Sequence, residues 1–297
     1  MTNFDRKKNQ ALQHLQMEIE TAWINVRRSK ENNARALRSF HGRQEIKVGI
    51  SEDSGGDAFA CQPSLATITM KWWALEVLWL TAFVFQNLGA RLWRHAEDGN
   101  TSSTLEDEVH LRKGRDALAH AANLIENRES RNWPENIPHP AENKKDSERT
   151  NKVFLKALGW IELHEVAHIT VDESIFSGAV NPSIAEEEYC DSYATNWVLA
   201  GNGKKLPSQR EGVAVATFFL VLREVLRGRT GPTHPNSQSR VAASQISDRH
   251  GGWLAIIIDI MLQSGGHSTP ALSGKEYTPK TYLRASFDAM YEALSQK

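Results

Sequence analysis

Residues 147–169 read SERTNKVFLKALGWIELHEVAHI, and the period of this stretch decides the fold. It holds no proline and one glycine, while Phe154, Ala157, Leu158, Ile161, His164 and His168 recur at three- and four-residue steps. That period is helical, with one apolar face running into two histidines. Downstream, Ser183 and Glu186 form a capping-box pattern and Gly201 a stop, which predicts a helix over about Ile184 to Ala200. Glu211 to Leu226, ended by Gly228, reads as another apolar helix, followed by Arg240–Asp248, Trp253–Gln263 and Pro279–Gln296. Thr278-Pro279 reads as an N-cap with proline at the first helical position.

Upstream, Glu129 to Asp146 carries Pro134, Pro138 and Pro140 and reads as a linker. It divides an N-terminal helical region with a short strand segment, residues 1–145, from a core over 146–297, the alternative being that both form one domain. Leu105 to Asn127 predicts a helix after the break at Asp98–Thr104. Leu12, Leu15, Ile19, Trp23 and Val26 give the first forty residues a helical pattern. Glu45 to Ile50 alternates as a strand does, then runs into a turn-rich loop. The fold class expected is mainly α, with at most a small β-sheet.

The composition, 35 basic against 36 acidic side chains, excludes general nucleic-acid binding, which draws its affinity from excess cations. Two cysteines, Cys61 and Cys190, exclude a disulfide framework and a four-cysteine zinc module. No apolar signal segment opens the sequence, so a cytoplasmic protein is expected. Trp72 to Phe85, WWALEVLWLTAFVF, is interrupted by Glu76 and falls short of the about 20 apolar residues a bilayer needs. It reads as a buried central helix, with service at a membrane surface or a partner interface as the alternative.

The chemistry lies in His164-Glu165-Val166-Ala167-His168. Histidines four apart share a helix face and can converge on one Zn²⁺. Glu165, about 100° round the helix, can take a proton from the attacking water without ligating the metal. A chain shuffled from this composition carries an HExxH string in about 3% of cases, so the apolar helical flanks matter as much as the string. A catalytic zinc needs one more protein ligand. Glu187, on the next helix, is the candidate, and Asp191 one turn later can orient a ligating histidine. Glu186 and Glu188 point to either side of that face and read as solvated. Cys190 turns away from Glu187 and reads as a packing residue. In the segment THPNSQSRV, His234 or Arg240 could stabilise a developing oxyanion. Alternatively, His234 caps a helix and Arg240 pairs with an acid of the Glu187 helix.

The series HEVAH, EEYCDSYA and THPNSQSRV, over about residues 150–245, resembles the glutamate-zincin metallopeptidases, and within them most closely the Lit-type phage-exclusion peptidases. The resemblance implies a zincin-like helical metallopeptidase core over 146–297, with His164, His168 and Glu187 as zinc ligands and Glu165 as general base. It further implies a cytoplasmic protease, quiescent until phage infection, that cuts elongation factor Tu when a phage peptide engages it. Cys190 departs from the pattern, since related zincins carry alanine before the aspartate. The repressor-cleaving zincins of mobile elements have similar motifs. Two readings stand outside this class: a regulatory or binding protein whose structural metal recruits Cys190 or His234, and a membrane-associated protein built on Trp72–Phe85. For a peptidase, the Glu45–Ile50 strand could offer an edge that aligns an extended substrate.

Overall fold

The computed structural model describes residues 11–25, 46–53, 55–97, 105–128, 133–199, 206–227, 234–270 and 278–295. Its centre is the helix α3 (Trp72–Val84), in which every residue from Trp73 to Val84 is buried. A segment apolar on all sides has no solvent face to offer, so neighbours must cover it completely. Thr81 satisfies its hydroxyl within the helix by donating to the Val77 carbonyl (2.7 Å). Among the described residues no helix is long and apolar enough to cross a membrane.

Before α3 lie two short helices, α1 (Gln16–Glu20) and α2 (Ala22–Asn25), whose Ile19 and Trp23 are buried. Val26 lies outside the described residues. A three-stranded sheet follows: β1 (Lys47–Ser51), β2 (Phe59–Gln62) and β3 (Thr67–Lys71). The order is β1-β3-β2, with β1 parallel and β2 antiparallel to the central β3. The alternation of Glu45–Ile50 thus corresponds to β1, while β2 and β3 lie beyond the turn-rich loop, in a stretch to which the sequence pattern assigns no element. Lys71 ends β3 in an extended conformation and Trp72 starts α3 directly.

A π-helical segment, Phe85–Gly89, continues α3 into α4 (Ala90–Glu97). Gly89 is required there, because a β-carbon would stand 2.9 Å from Trp253 Cβ. Then come α5 (Leu105–Asn127), α6 (Lys145–Thr170), α7 (Pro182–Leu199), α8 (Leu206–Arg227), α9 (Ser237–Ala243), α10 (Asp248–Ser264) and α11 (Pro279–Ser295). The fold is mainly α with a small sheet.

The proline-rich stretch before α6 is not a slack spacer over its described part. Trp133 packs edge-on against Trp79 at 5.2 Å and donates its indole N–H to the carbonyls of Ile137 and Pro138. Asn151 in turn donates to the Pro140 carbonyl (3.0 Å). One apolar core draws on residues from Leu12 to Ala293, on both sides of position 145.

The start of α7 differs from the capping-box expectation. Asn181 Oδ1 accepts from the Ile184 N–H (3.2 Å), with Pro182 in the first turn, so the cap precedes Ser183. Asparagine caps as well as serine, and the proline sacrifices an N–H that would be unpaired anyway. Helix α9 also begins earlier than Arg240: Asn236 caps it by accepting from the Ser239 N–H (2.8 Å). His234 is therefore not the cap.

Candidate metal and catalytic site

Two crossings place the site. Gly212 lets α8 press against α6, since a β-carbon there would stand 2.5 Å from Lys156 Cβ. Trp160, fully covered, donates its indole N–H to Thr195 Oγ1 (3.0 Å) and ties α6 to α7. The last turns of α6 and the first turns of α7 then face each other. Their polar side chains line a cleft of about 490 Å³. It is also lined by Phe59, Ala60 and Cys61 of β2, Phe219, Leu220, Arg223 and Glu224 of α8, and the segment from His234 to Arg240.

His164 Nε2 and His168 Nε2 stand 3.1 Å apart. Glu187 spans them, with Oε2 at 3.4 Å from His164 Nε2 and Oε1 at 3.5 Å from His168 Nε2. One ligand atom from each of the three residues lies within 4.8 Å of the others. Glu187 Oε2 is buried and accepts no hydrogen bond, with Arg240 Nη2 3.5 Å away, and both imidazole Nε2 atoms converge on the Glu187 carboxylate. The donor set of two imidazoles and a carboxylate therefore fits a metal ion.

The outer nitrogens are held separately. His168 Nδ1 donates to Glu186 Oε1 at 2.7 Å, which fixes the ring and turns Nε2 toward Glu187. The expectation that Glu186 is merely solvated is thereby corrected. At this crossing the side of α7 next to the Glu187 face still looks onto α6, so a 100° offset does not carry Glu186 into water. His164 Nδ1 lies 2.9 Å from Asp191 Oδ1, off the N–H line, so the contact is chiefly electrostatic. Asp191 also receives Arg240 through two bonds, from Nε (2.7 Å) and Nη2 (2.6 Å). Of the two roles open to Arg240, pairing with an acid of α7 is the one seen. His234, its side chain 56% exposed, brings Nε2 to 3.3 Å from Glu187 Oε1.

Charge follows this geometry. Burial lowers the pKa of His164, but the Asp191 and Glu187 carboxylates outweigh it and raise it to about 9. Burial likewise lowers that of His168, and Glu187 and Glu186 bring it up to about 9. Burial alone would raise Glu187 and Asp191. The two histidines hold Glu187 well below the carboxylate range, and His164 with Arg240 hold Asp191 below it.

Glu165 and Cys61 line the same cleft. Burial, and then the Glu165 carboxylate, push the Cys61 thiol up to about 12, so it stays protonated. Nothing in the sequence around Cys61 signals this proximity. Cys190 is fully buried, and its thiol is likewise raised to about 12 by burial, as suits a packing residue.

The family model for peptidase U49 matches residues 68–250. The chain belongs to the peptidase U49 family. The match runs from β3 into α10 and contains every residue just described except Cys61 and its neighbours on β2. A relative in Escherichia coli (strain K12), named Cell death peptidase, is 24% identical over 156 residues, or 51% of this chain and 52% of that protein. The chain therefore spans about half the length of the curated relative it matches. No solved structure matches the chain.

Proposed function

We propose that this member of the peptidase U49 family is a zinc-dependent endopeptidase. The observation that carries the reading is the convergence of His164, His168 and Glu187 in the lining of an open cleft, with Glu165 beside them. Three protein ligands facing a cleft suit a catalytic zinc, whereas a structural zinc takes four and is closed. When bound, zinc supplies Lewis acidity to a peptide carbonyl and to the attacking water.

The chain's own residues do the rest. Glu165 takes the proton from the attacking water and returns it to the leaving amine. His234, exposed and beside Glu187, donates to the oxygen on which charge develops. Arg240 is committed to Asp191 and acts on the ligands instead of on substrate. Strand β2 hydrogen-bonds to β3 along one edge and lines the cleft. It replaces β1, which lines no part of the cleft, as the strand that aligns an extended substrate by adding a backbone partner.

The resemblance to Lit-type peptidases supplies the candidate biology: cytoplasmic cleavage of elongation factor Tu when a phage-derived peptide engages it, as phage exclusion. The name of the Escherichia coli relative accords with a lethal proteolytic event. The test is Glu165→Gln. It should retain metal and lose hydrolysis of elongation factor Tu by about 10²–10⁴-fold, the usual worth of a general base. Cleavage by this variant at the wild-type rate would remove Glu165 from the mechanism.

A further inference from the structure

We propose that Glu224 is a positioning residue that controls metal affinity, by clamping the first turn of α9 so that Arg240 holds Asp191 against His164. The inference rests on the metallopeptidase reading of the site. Glu224 lies on α8, belongs to neither histidine motif, and is 9% exposed. Its Oε2 accepts from the Ser237 backbone N–H (2.7 Å) and, in a short contact, from the Ser237 hydroxyl. Tyr291 of α11 leans on the same turn, its hydroxyl accepting from the Gln238 N–H (3.4 Å).

Helix α9 has only seven residues and cannot set its own position. Its first turn is fixed from α8 by the carboxylate, and Arg240 then projects from the second turn into the site. Both members of the Arg240–Asp191 pair are buried, at 8% and 5% exposure, so a shift of the guanidinium cannot be made good by water. The path runs from Glu224 to Ser237 by hydrogen bond, along the first turn of α9 to Arg240 through the backbone, and on to Asp191 and His164 by contacts.

Zinc affinity, read by competition with a chromophoric chelator, tests this without any substrate. Glu224→Ala should bind Zn²⁺ about tenfold more weakly, the lower end of the range for residues that orient ligands. Glu224→Gln keeps an oxygen for the Ser237 N–H and should recover most of that loss. Asp259→Asn, which breaks a buried carboxylate cluster outside the cleft, controls for general loosening and should bind zinc as wild type does. In an Asp191→Asn background, Glu224→Ala should add little, because both act on one path. Should Glu224→Ala not fold, Ser237→Ala removes the hydroxyl bond alone and should show a smaller loss in the same direction. Equal affinity in wild type, Glu224→Ala and Ser237→Ala overturns the proposal, as does full additivity with Asp191→Asn or an equal loss in Asp259→Asn. A wild type that binds no zinc overturns the metal reading and the proposal together.

Discussion

Asp191 and Asp259 are both buried carboxylates that tie helices together, yet their surroundings push them in opposite directions. Asp259 on α10 accepts from two hydroxyls of α11, Ser286 Oγ at 2.8 Å and Tyr282 in a short contact. Burial raises its pKa and the hydroxyls only partly offset that. Asp191 loses as much water, but Arg240 and His164 bring charge, and its pKa is lowered. Hydroxyls satisfy lone pairs and make a clamp. Guanidinium and imidazole neutralise the charge and keep the carboxylate ionised next to a position where a cation can bind. Burial and bond number alone would not have told the two sites apart.

This contrast breaks most readily on metal affinity. Asp191→Asn should weaken zinc binding by about 10–100-fold, and Glu186→Gln, which loosens His168, by an amount in the same range. Asp259→Asn should leave zinc binding alone. A titration that ranked Asp259→Asn with the other two would erase the distinction. On stability the order should reverse. Asp259→Asn in the metal-free protein should cost about 1–3 kcal/mol, as for a disrupted buried hydrogen-bond pair, measured by urea denaturation. No loss there would mean that the α10–α11 clamp contributes nothing.

The smallest effect concerns pH. In the metal-free protein the folded pKa of His164 and of His168 is raised to about 9 from an ordinary 6.5. Their contribution to stability is therefore whole below about pH 6.5 and is lost as pH rises through about 9. The Tm of metal-stripped protein should fall across that window, and Glu187→Gln should flatten the fall. A wild-type Tm that held steady from about pH 6.5 to 9 would show that the histidines gain nothing from their carboxylates.

How far the sequence could be read depended on whether a contact is local. The two histidines and Glu165 lie within one helical turn and a half, so the period that predicts α6 also predicts their convergence. Asn127 and Pro279 end and start their helices where proline, cap and period indicated. Glu187 was legible because a capped helix follows at a distance that lets it fold back. By contrast, Glu186 on His168, Cys61 beside Glu165 and Glu224 on Ser237 are tertiary arrangements with no spacing to signal them. Strands β2 and β3 were missed for a different reason. Their connection is the helical turn Pro63–Leu65 closed by Ala66 at φ 48°, which carries no glycine or asparagine to mark a hairpin. Strand β3 then enters the apolar helix without a break, so that its alternation merges with the apolar run.

The central claim is that two imidazoles and one carboxylate hold a single catalytic metal. Elemental analysis of purified wild type beside His164→Ala tests it most directly. The account predicts one zinc per chain in the wild type and none in the variant. Equal metal in both proteins, or a metal-free wild type that still cleaves its substrate, would contradict it.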